Sequence, residues 1–489
     1  MALYKKRLLF LLGLLLFYIA MPNIYNHVGW VAWAAFVPLF VLLEKTVSPK
    51  KIIFLSWMFF QCGFLALLWI NPLTFREQFT EPTMILGLGL FFLIFPILFS
   101  LVVSLPFVFF RHQPHIRMTG ILFFWVLLEY TLTIVPFGFP LSLALSQYRY
   151  PTMLQIAEYT GIFGLSVAIV LTNLLFAAIF TQNSAKRRRF FHLFLGLAIP
   201  LCLILYGNVH ISNTKPGSEF LTVVLAQPNI HWQEAYAAHE NSFLSKRIVA
   251  NLIEITTFIP PNPEQLIVFP ELVFLPFNPQ NPSLQSAMIQ MGDGHRGILA
   301  GANYQDKNTV LSLNSLGEII DIYQKNTFVP VFESKETRPA KPQHAPLALP
   351  NTRMRIGPMI CYETLFPNTS RQLTQNGADF LGALSFNSWL GHNNWLLLHM
   401  SFMPFRAIEN QRASFFLNNT GPSIVTTPYG AIEHLIPLGT RGYVIAKLPT
   451  NKRLTWYTQK GPWPFLAILA IAFIGACLFW LILPHRSGR

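Results

Sequence analysis

The chain has 489 residues, of which 53% are hydrophobic and 11% charged, against about 25% charged in soluble domains. Such a chain cannot cover itself with polar surface, which excludes a wholly soluble protein and requires part of it to face lipid. Its net charge of +14 lies largely in short loops between apolar runs, a pattern of membrane orientation and not of nucleic-acid binding.

A bilayer core takes about 20 apolar residues as helix. Eight segments qualify, roughly 7–21, 29–43, 52–70, 84–110, 118–135, 162–180, 190–206 and 464–484. The first has a basic start (Lys5, Lys6, Arg7) like a signal peptide. No small-residue cleavage site follows it, so it is read as a retained helix. Pro96 and Pro106 predict a kinked or tilted fourth helix. Basic residues alternate between loops. Lys45, Lys50 and Lys51 follow the second segment, Arg111 and Arg117 the fourth, Lys186 to Arg189 the sixth, and Arg486 and Arg489 the last. The intervening loops hold only Arg76 and Arg149. The positive-inside rule then places both termini in the cytoplasm and 207–463 on the opposite side.

Residues 1–206 are thus expected to form seven membrane helices, 207–220 a linker, 221–460 a soluble domain, and 461–489 an eighth helix with a cytoplasmic tail. The texture changes at Leu221. Short apolar runs at 221–227, 265–270, 297–304, 355–363 and 378–386 alternate with helical stretches such as 239–257 and 392–412. That alternation predicts a layered α/β domain with buried strands. There is no internal repeat.

Of the four cysteines, Cys62, Cys202 and Cys477 lie in apolar runs, leaving Cys361 alone in the soluble part. A cysteine with no disulfide partner in its domain serves packing or reactivity. Three strand ends carry polar residues out of keeping with their runs, namely Glu271, Lys325 and Cys361. Each has a bland reading, as a cap, a surface charge or a packed thiol. Together they form an acyl-transfer set. A carboxylate can take the thiol proton, and an ammonium can stabilise charge on a tetrahedral intermediate.

In that order, Pro-Glu after a strand, Tyr-x-Lys and Cys-Tyr-Glu form the pattern of the nitrilase superfamily. The stretches around VFPE (268–271), YQKNTFVPVFE (323–333), GPMICYETLFP (357–367) and RAIENQRASFFLNNTGPS (406–423) resemble the bacterial apolipoprotein N-acyltransferases. So do GFPLSLALSQY (138–148), EYTGIFGLS (158–166), Trp125 with Glu129, and the C-terminal GPWP (461–464). The resemblance implies a multi-pass bundle of about eight helices joined to a nitrilase-like αββα sandwich in the inner membrane, with that sandwich in the periplasm. It implies Glu271, Lys325 and Cys361 as the catalytic residues, with Glu333 and Glu363 in support by orientation or direct chemistry. Asn387 and Trp389 are candidate pocket residues, though core packing equally suits Trp389. The implied reaction passes a fatty acyl chain from a phospholipid to Cys361 and then to the N-terminal cysteine amine of a diacylglyceryl apolipoprotein. No cofactor or metal is called for, and a monomer is expected.

Departures from the family pattern occur at Pro228, Thr327, Val331-Phe332 and Ser388, which bear on loop geometry and substrate preference. His392 and His399 lie seven apart with no third ligand spaced to them, so metal binding is not expected. Arg406, Glu409 and Arg412 have helix ion-pair spacing. Glu129, costly in lipid, is expected to face the bundle interior or an interface. Two other readings remain open. A membrane-bound nitrilase-type amidase or hydrolase would use the same residues with water as acceptor. A transporter would place charged or broken-helix sites at the midplane, often in repeated halves; the sequence shows no repeat, and the intact Glu271, Lys325 and Cys361 set argues against a non-enzymatic domain.

Overall fold

A computed structural model describes residues 3–68, 82–135, 141–181, 186–214, 217–238, 241–260, 262, 264–330, 333 and 343–482. Arg76, Gly138 to Pro140, Lys215, Pro216, Val331, Phe332, Arg486 and Arg489 lie outside the described residues.

All eight apolar segments contain helix. They are α1 (Leu3–Ala20), α2 (Val37–Glu44), α3 (Pro49–Leu68), α4 (Pro82–Phe109), α5 (Pro114–Leu132), α6 (Ile162–Thr181), α7 (Lys186–Asn213) and, at the other end of the chain, Trp463–Ile482. Five of these are long and apolar enough to cross a bilayer: α3, Gly89–Phe109 of α4, α6, α7 and Trp463–Ile482. The second segment is broken, with short turns at Gly29–Val31 and Ala32–Ala35 preceding α2. Pro38 at its second position suits a helix start and not a helix interior. Helix α7 runs on to Asn213, through the first half of the expected linker, and its last turn is tied down where His210 Nε2 meets Glu158 Oε2 at 2.9 Å.

The bundle core is aromatic, with Trp125 of α5 packed edge-on to Phe36 and Phe99 at 5.6 and 5.4 Å between centroids. Glu129 is buried one turn further on. It accepts hydrogen bonds from Trp125 Nε1 (2.8 Å), Ser166 Oγ (3.0 Å), Leu143 N (3.1 Å) and Ser142 Oγ (3.1 Å). The segment around Leu143–Gln147 thus tucks into the bundle on the expected carboxylate.

Among the described residues the soluble part contains two six-stranded sheets. The first has strand order β12-β1-β2-β3-β4-β5 and the second β11-β10-β9-β8-β7-β6. The strands of the first are β1 (Phe220–Gln227), β2 (Gln265–Phe274), β3 (Gly297–Tyr304), β4 (Lys307–Leu313), β5 (Ile319–Gln324) and β12 (Gly442–Pro449). Those of the second are β6 (Leu347–Ala348), β7 (Arg355–Ile360), β8 (Phe380–Ser385), β9 (Ser414–Asn418), β10 (Ser423–Thr426) and β11 (Ile432–Ile436). Strands β1-β2-β3 and β7-β8-β9 run parallel, joined by helical crossovers.

Alternation along the strands builds the layers. Val223, Leu225, Leu266 and Val268 point between the sheets, toward Ile360, Leu384 and Phe416. Val224, Ala226, Ile267 and Phe269 point outward, under α8 (Ser242–Thr257) and α9 (Pro282–Met291). Helices α10 (Pro367–Gln375), α11 (Asn394–Met400), α12 (Met403–Asn410) and finally α13 (Trp463–Ile482) follow. The single helix expected across 392–412 breaks at Ser401 and Phe402, where Pro404 begins a new one.

Several contacts tie the sandwich to the bundle. Glu409 Oε1 accepts from Ile162 N at 2.9 Å, and Arg453 Nη2 donates to Glu158 Oε1 at 2.9 Å. Asn394 Oδ1 accepts from Ile24 N at 2.9 Å, while its Nδ2 donates to Leu67 O at 2.8 Å. The expected helix pairing holds for Arg406 and Glu409, 2.7 Å apart and buried. It fails for Arg412, which lies beyond the end of α12 and donates to the carbonyls of Ala378, Asn410, Gln411 and Arg453.

Candidate active site

Glu271 stands in an irregularity of β2, between the pairs Phe269–Ala300 and Phe274–Ala302 with β3. Such bulges re-aim a side chain. Gly301 permits it, because a Cβ there would lie 2.4 Å from Glu271 Cα. The next residue, Leu272, has φ +52°. The carboxylate accepts from Asn308 Nδ2 (2.8 Å) and Lys325 Nζ (3.3 Å) on one oxygen and from Phe386 N (2.8 Å) on the other. Lys325 follows β5, its backbone N–H donating to Asn308 O at 2.9 Å. Its wholly buried ammonium also donates to Glu333 Oε1. Glu333 Oε2 in turn accepts from Val329 N at 2.6 Å.

Cys361 follows β7 on a sharp turn with φ +48°. A non-glycine residue held there stores strain, which marks a position fixed by its surroundings. Its Sγ lies 3.5 Å from Asn387 Oδ1, which also accepts from Ser385 Oγ at 3.0 Å. Cys361 is 7% exposed, Glu271 3% and Lys325 not at all, so the three groups share a nearly dry space.

Charge in that space is tightly coupled. Burial opposes the Lys325 ammonium, but Glu333, Glu271 and Cys361 outweigh it and hold its pKa well above the ordinary value. Burial and the Glu271 charge push the Cys361 thiol well up, against the pull of Lys325. The resting sulfur therefore keeps its proton, and any nucleophilic step needs a base.

Glu363 is wholly buried and clamps two elements together. It accepts from Ile360 N (2.7 Å) beside the cysteine, from Asn326 N (2.6 Å) and Thr327 N (3.2 Å) beside the lysine, and from Tyr323 Oη (3.1 Å). Burial raises it to about 7, against the three backbone donors.

Five of the seven residues singled out from sequence thus lie in one connected network: Glu271, Lys325, Glu333, Cys361 and Asn387. Glu363 braces it from behind. Trp389 packs in a separate small cluster with Leu390, Leu396 and Leu438. Sequence reasoning missed Asn308, Ser385 and His399, whose roles depend on contacts between distant strands that no local spacing encodes. His392 is exposed and His399 turns inward to the cysteine, so they form no pair. Among the described residues there is no His, Cys, Asp or Glu cluster able to hold a metal.

Residues 12–175 match the apolipoprotein N-acyltransferase N-terminal domain, and 226–456 match the carbon-nitrogen hydrolase domain. The chain is a membrane protein whose soluble part is a nitrilase-fold sandwich. With both domains in one polypeptide, it belongs to the apolipoprotein N-acyltransferase family. It is 26% identical to the apolipoprotein N-acyltransferase of Geobacter metallireducens over 72% of each chain. It is 25% identical to that of Chlorobaculum tepidum over 88% of each. It is 24% identical to that of Thermotoga maritima over 93% of this chain and 90% of the relative. A nitrilase-superfamily crystal structure from Saccharomyces cerevisiae matches 56% of this chain and 98% of its own at 19% identity, with a TM-score of 0.35.

Proposed function

We propose that the protein is an acyltransferase that N-acylates lipoproteins, taking the acyl chain from a membrane phospholipid through a thioester on Cys361. The observation that carries this reading is the carboxylate, ammonium and thiol meeting in a dry space on a chain whose described residues include five apolar helices long enough to span a bilayer. In the first half-reaction Glu271 takes the thiol proton as Sγ attacks the ester carbonyl carbon. The carbon–oxygen bond breaks, and Glu271 returns the proton to the glycerol oxygen, which leaves as lysophospholipid. In the second, the acceptor's neutral α-amine attacks the thioester. The carbon–sulfur bond breaks, and the amine proton passes through Glu271 to the sulfur. Lys325 and a backbone N–H stabilise the oxyanion in both steps.

Both substrates are lipid-anchored, which explains a catalytic domain fixed to a bundle. Its working parts are the seven helices that end at Asn213, the catalytic domain that begins with the strand at Phe220, and the C-terminal helix Trp463–Ile482 as an anchor. The sandwich docks at the C-terminal end of α3, through Leu67, where it receives Asn394. Lys45 and Lys50 lie at the other end of α3, Arg111 follows α4 and donates to Thr46 O at 2.7 Å, and Lys186 starts α7 at the end away from its His210–Glu158 contact. By the positive-inside rule the catalytic domain is then periplasmic and both termini cytoplasmic in a bacterial inner membrane. A single copy holds every group named, which is compatible with a monomer as the working unit.

The test is intact-mass analysis of purified protein mixed with phospholipid vesicles. One added fatty acyl group on Cys361, absent in Cys361→Ala and discharged by a diacylglyceryl lipopeptide with formation of an amide, is expected. Discharge into water alone would make the protein a hydrolase, and an unmodified wild-type Cys361 during turnover would remove the mechanism.

A further inference from the structure

His399 has no part in the chemistry above, yet it touches the nucleophile's own residue. Its Nε2 lies 2.9 Å from Cys361 O, and its Nδ1 lies 2.8 Å from Asn387 Nδ2. The carbonyl oxygen can only accept, so Nε2 carries the proton. Nδ1 is then a bare acceptor that receives the Asn387 amide N–H. That fixes the amide's direction, with Oδ1 toward Cys361 Sγ at 3.5 Å and toward Ser385 Oγ at 3.0 Å. The Cys361 carbonyl is also held by Thr364 Oγ1 at 2.9 Å, so both of its lone pairs are used.

The ring itself has little freedom. It packs edge-on against Phe416 at 4.9 Å. Its helix α11 is anchored at the other end, where Trp395 Nε1 donates to Leu68 O at 2.9 Å and Asn394 meets Leu67. Desolvation pushes the ring's pKa down to about 4, helped by the Lys325 charge and opposed by the bond to Cys361 O, so it stays neutral near pH 7. The charged groups facing the sulfur are Glu271 from β2 and Lys325 and Glu333 from beyond β5.

We infer that His399 is a positioning residue, whose single neutral tautomer locks the Asn387 amide and the strained Cys361 carbonyl so that the thiol faces a fixed acceptor. The inference rests on the reading of Cys361 as the nucleophile. A ring that lost this role would free the amide to turn its NH2 toward sulfur, a donor that favours thiolate. A glutamine carboxamide carries one donor and one acceptor in the same 1,3 relation as the two ring nitrogens and can replace both contacts.

The experiment measures the pH dependence of Cys361 alkylation by iodoacetamide, alongside the acylation rate from phosphatidylethanolamine vesicles. In His399→Phe the alkylation midpoint is expected to fall. Its maximal acylation rate should drop about 10- to 100-fold, as when an orienting partner behind a reacting metal ligand is removed, with KM for phospholipid unchanged. His399→Gln should restore both readouts. Asn387→Asp leaves the ring in place but puts a carboxylate beside the sulfur, and should move the midpoint upward. An unchanged midpoint in His399→Phe, or equal damage in His399→Phe and His399→Gln, overturns the inference. If wild-type Cys361 alkylates but never acylates, it is the proposed reaction that fails, and the midpoints still decide the role of His399.

Discussion

Glu129 in the bundle and Glu271 in the sandwich are both buried glutamates, 2% and 3% exposed. Their neighbours set them apart. Glu129 is surrounded by neutral donors alone, one indole, two hydroxyls and one backbone amide. Glu271 receives an amide, a backbone N–H and an ammonium that is shared with a second carboxylate. A buried carboxylate is tolerated once its lone pairs are used. Satisfaction alone therefore says nothing about chemistry. Glu271 is distinguished by a cation, a raised thiol and a bulged strand that aims it.

The hardest test of that contrast is to delete the thiol. Cys361→Ala should lower acyl transfer at least about 10⁴-fold, as expected for loss of a covalent nucleophile, with no acyl-protein seen by mass spectrometry. Because Cys361 sits at φ +48°, Cys361→Gly should melt higher than Cys361→Ala by relieving roughly 1 kcal/mol or more of backbone strain. Equal melting temperatures would show that the turn is unstrained.

Next comes the base. Glu271→Gln keeps the shape of the side chain and removes its proton affinity, so acylation should slow about 10²- to 10⁴-fold. Lys325→Met should cost about 10²- to 10³-fold through the lost oxyanion partner. It also leaves Glu271 and Glu333 together without their cation, so thermal stability should fall more than in Glu271→Gln. Single-turnover acylation and melting curves read both effects. A Glu271→Gln variant within threefold of wild type would put Glu271 in the same class as Glu129.

Glu363 sharpens the contrast through pH. Burial raises its pKa to about 7, so between the ordinary carboxylate range and that value the folded chain keeps a proton that the unfolded chain has released. The stability from this group is full below the unfolded value and is lost as pH rises through about 7. Glu363→Gln should flatten that fall. It should also lower stability at pH 5 by about 1–3 kcal/mol, since an amide cannot accept from all four donors. Melting curves from pH 5 to pH 8 that keep the same slope in both proteins would refute the assignment.

Much of this arrangement was legible in the sequence. Glu271, Lys325 and Cys361 stood out because each ended an apolar run with a group that buries badly alone. The eight helices were legible from apolar length, and the sandwich from strands alternating with helices. What was not legible depends on tertiary contact. Asn308 reads as an ordinary strand residue until β4 brings its amide to Glu271. His399 looked like half of a histidine pair because a seven-residue spacing implies a common helix face, and the helix starts only at Asn394, after His392. Arg412 kept its helix-pair spacing on paper, but Gln411 adopts a left-handed conformation that ends α12 before it.

The smallest expected effect belongs to Glu129, and it is the one that could break the comparison from the other side. Glu129→Gln keeps one carbonyl oxygen for the Trp125 and Leu143 donors. It turns an NH2 toward Ser142, whose hydroxyl can rotate to accept. The cost should be confined to stability, about 1–3 kcal/mol, with acylation per folded molecule within about twofold of wild type. Glu129→Leu should lose more, because it strands four buried donors in the bundle core. A Glu129→Gln protein that melts normally yet acylates Cys361 tenfold slower would tie the bundle carboxylate to the reaction. Burial with neutral partners would then no longer separate a structural glutamate from a working one.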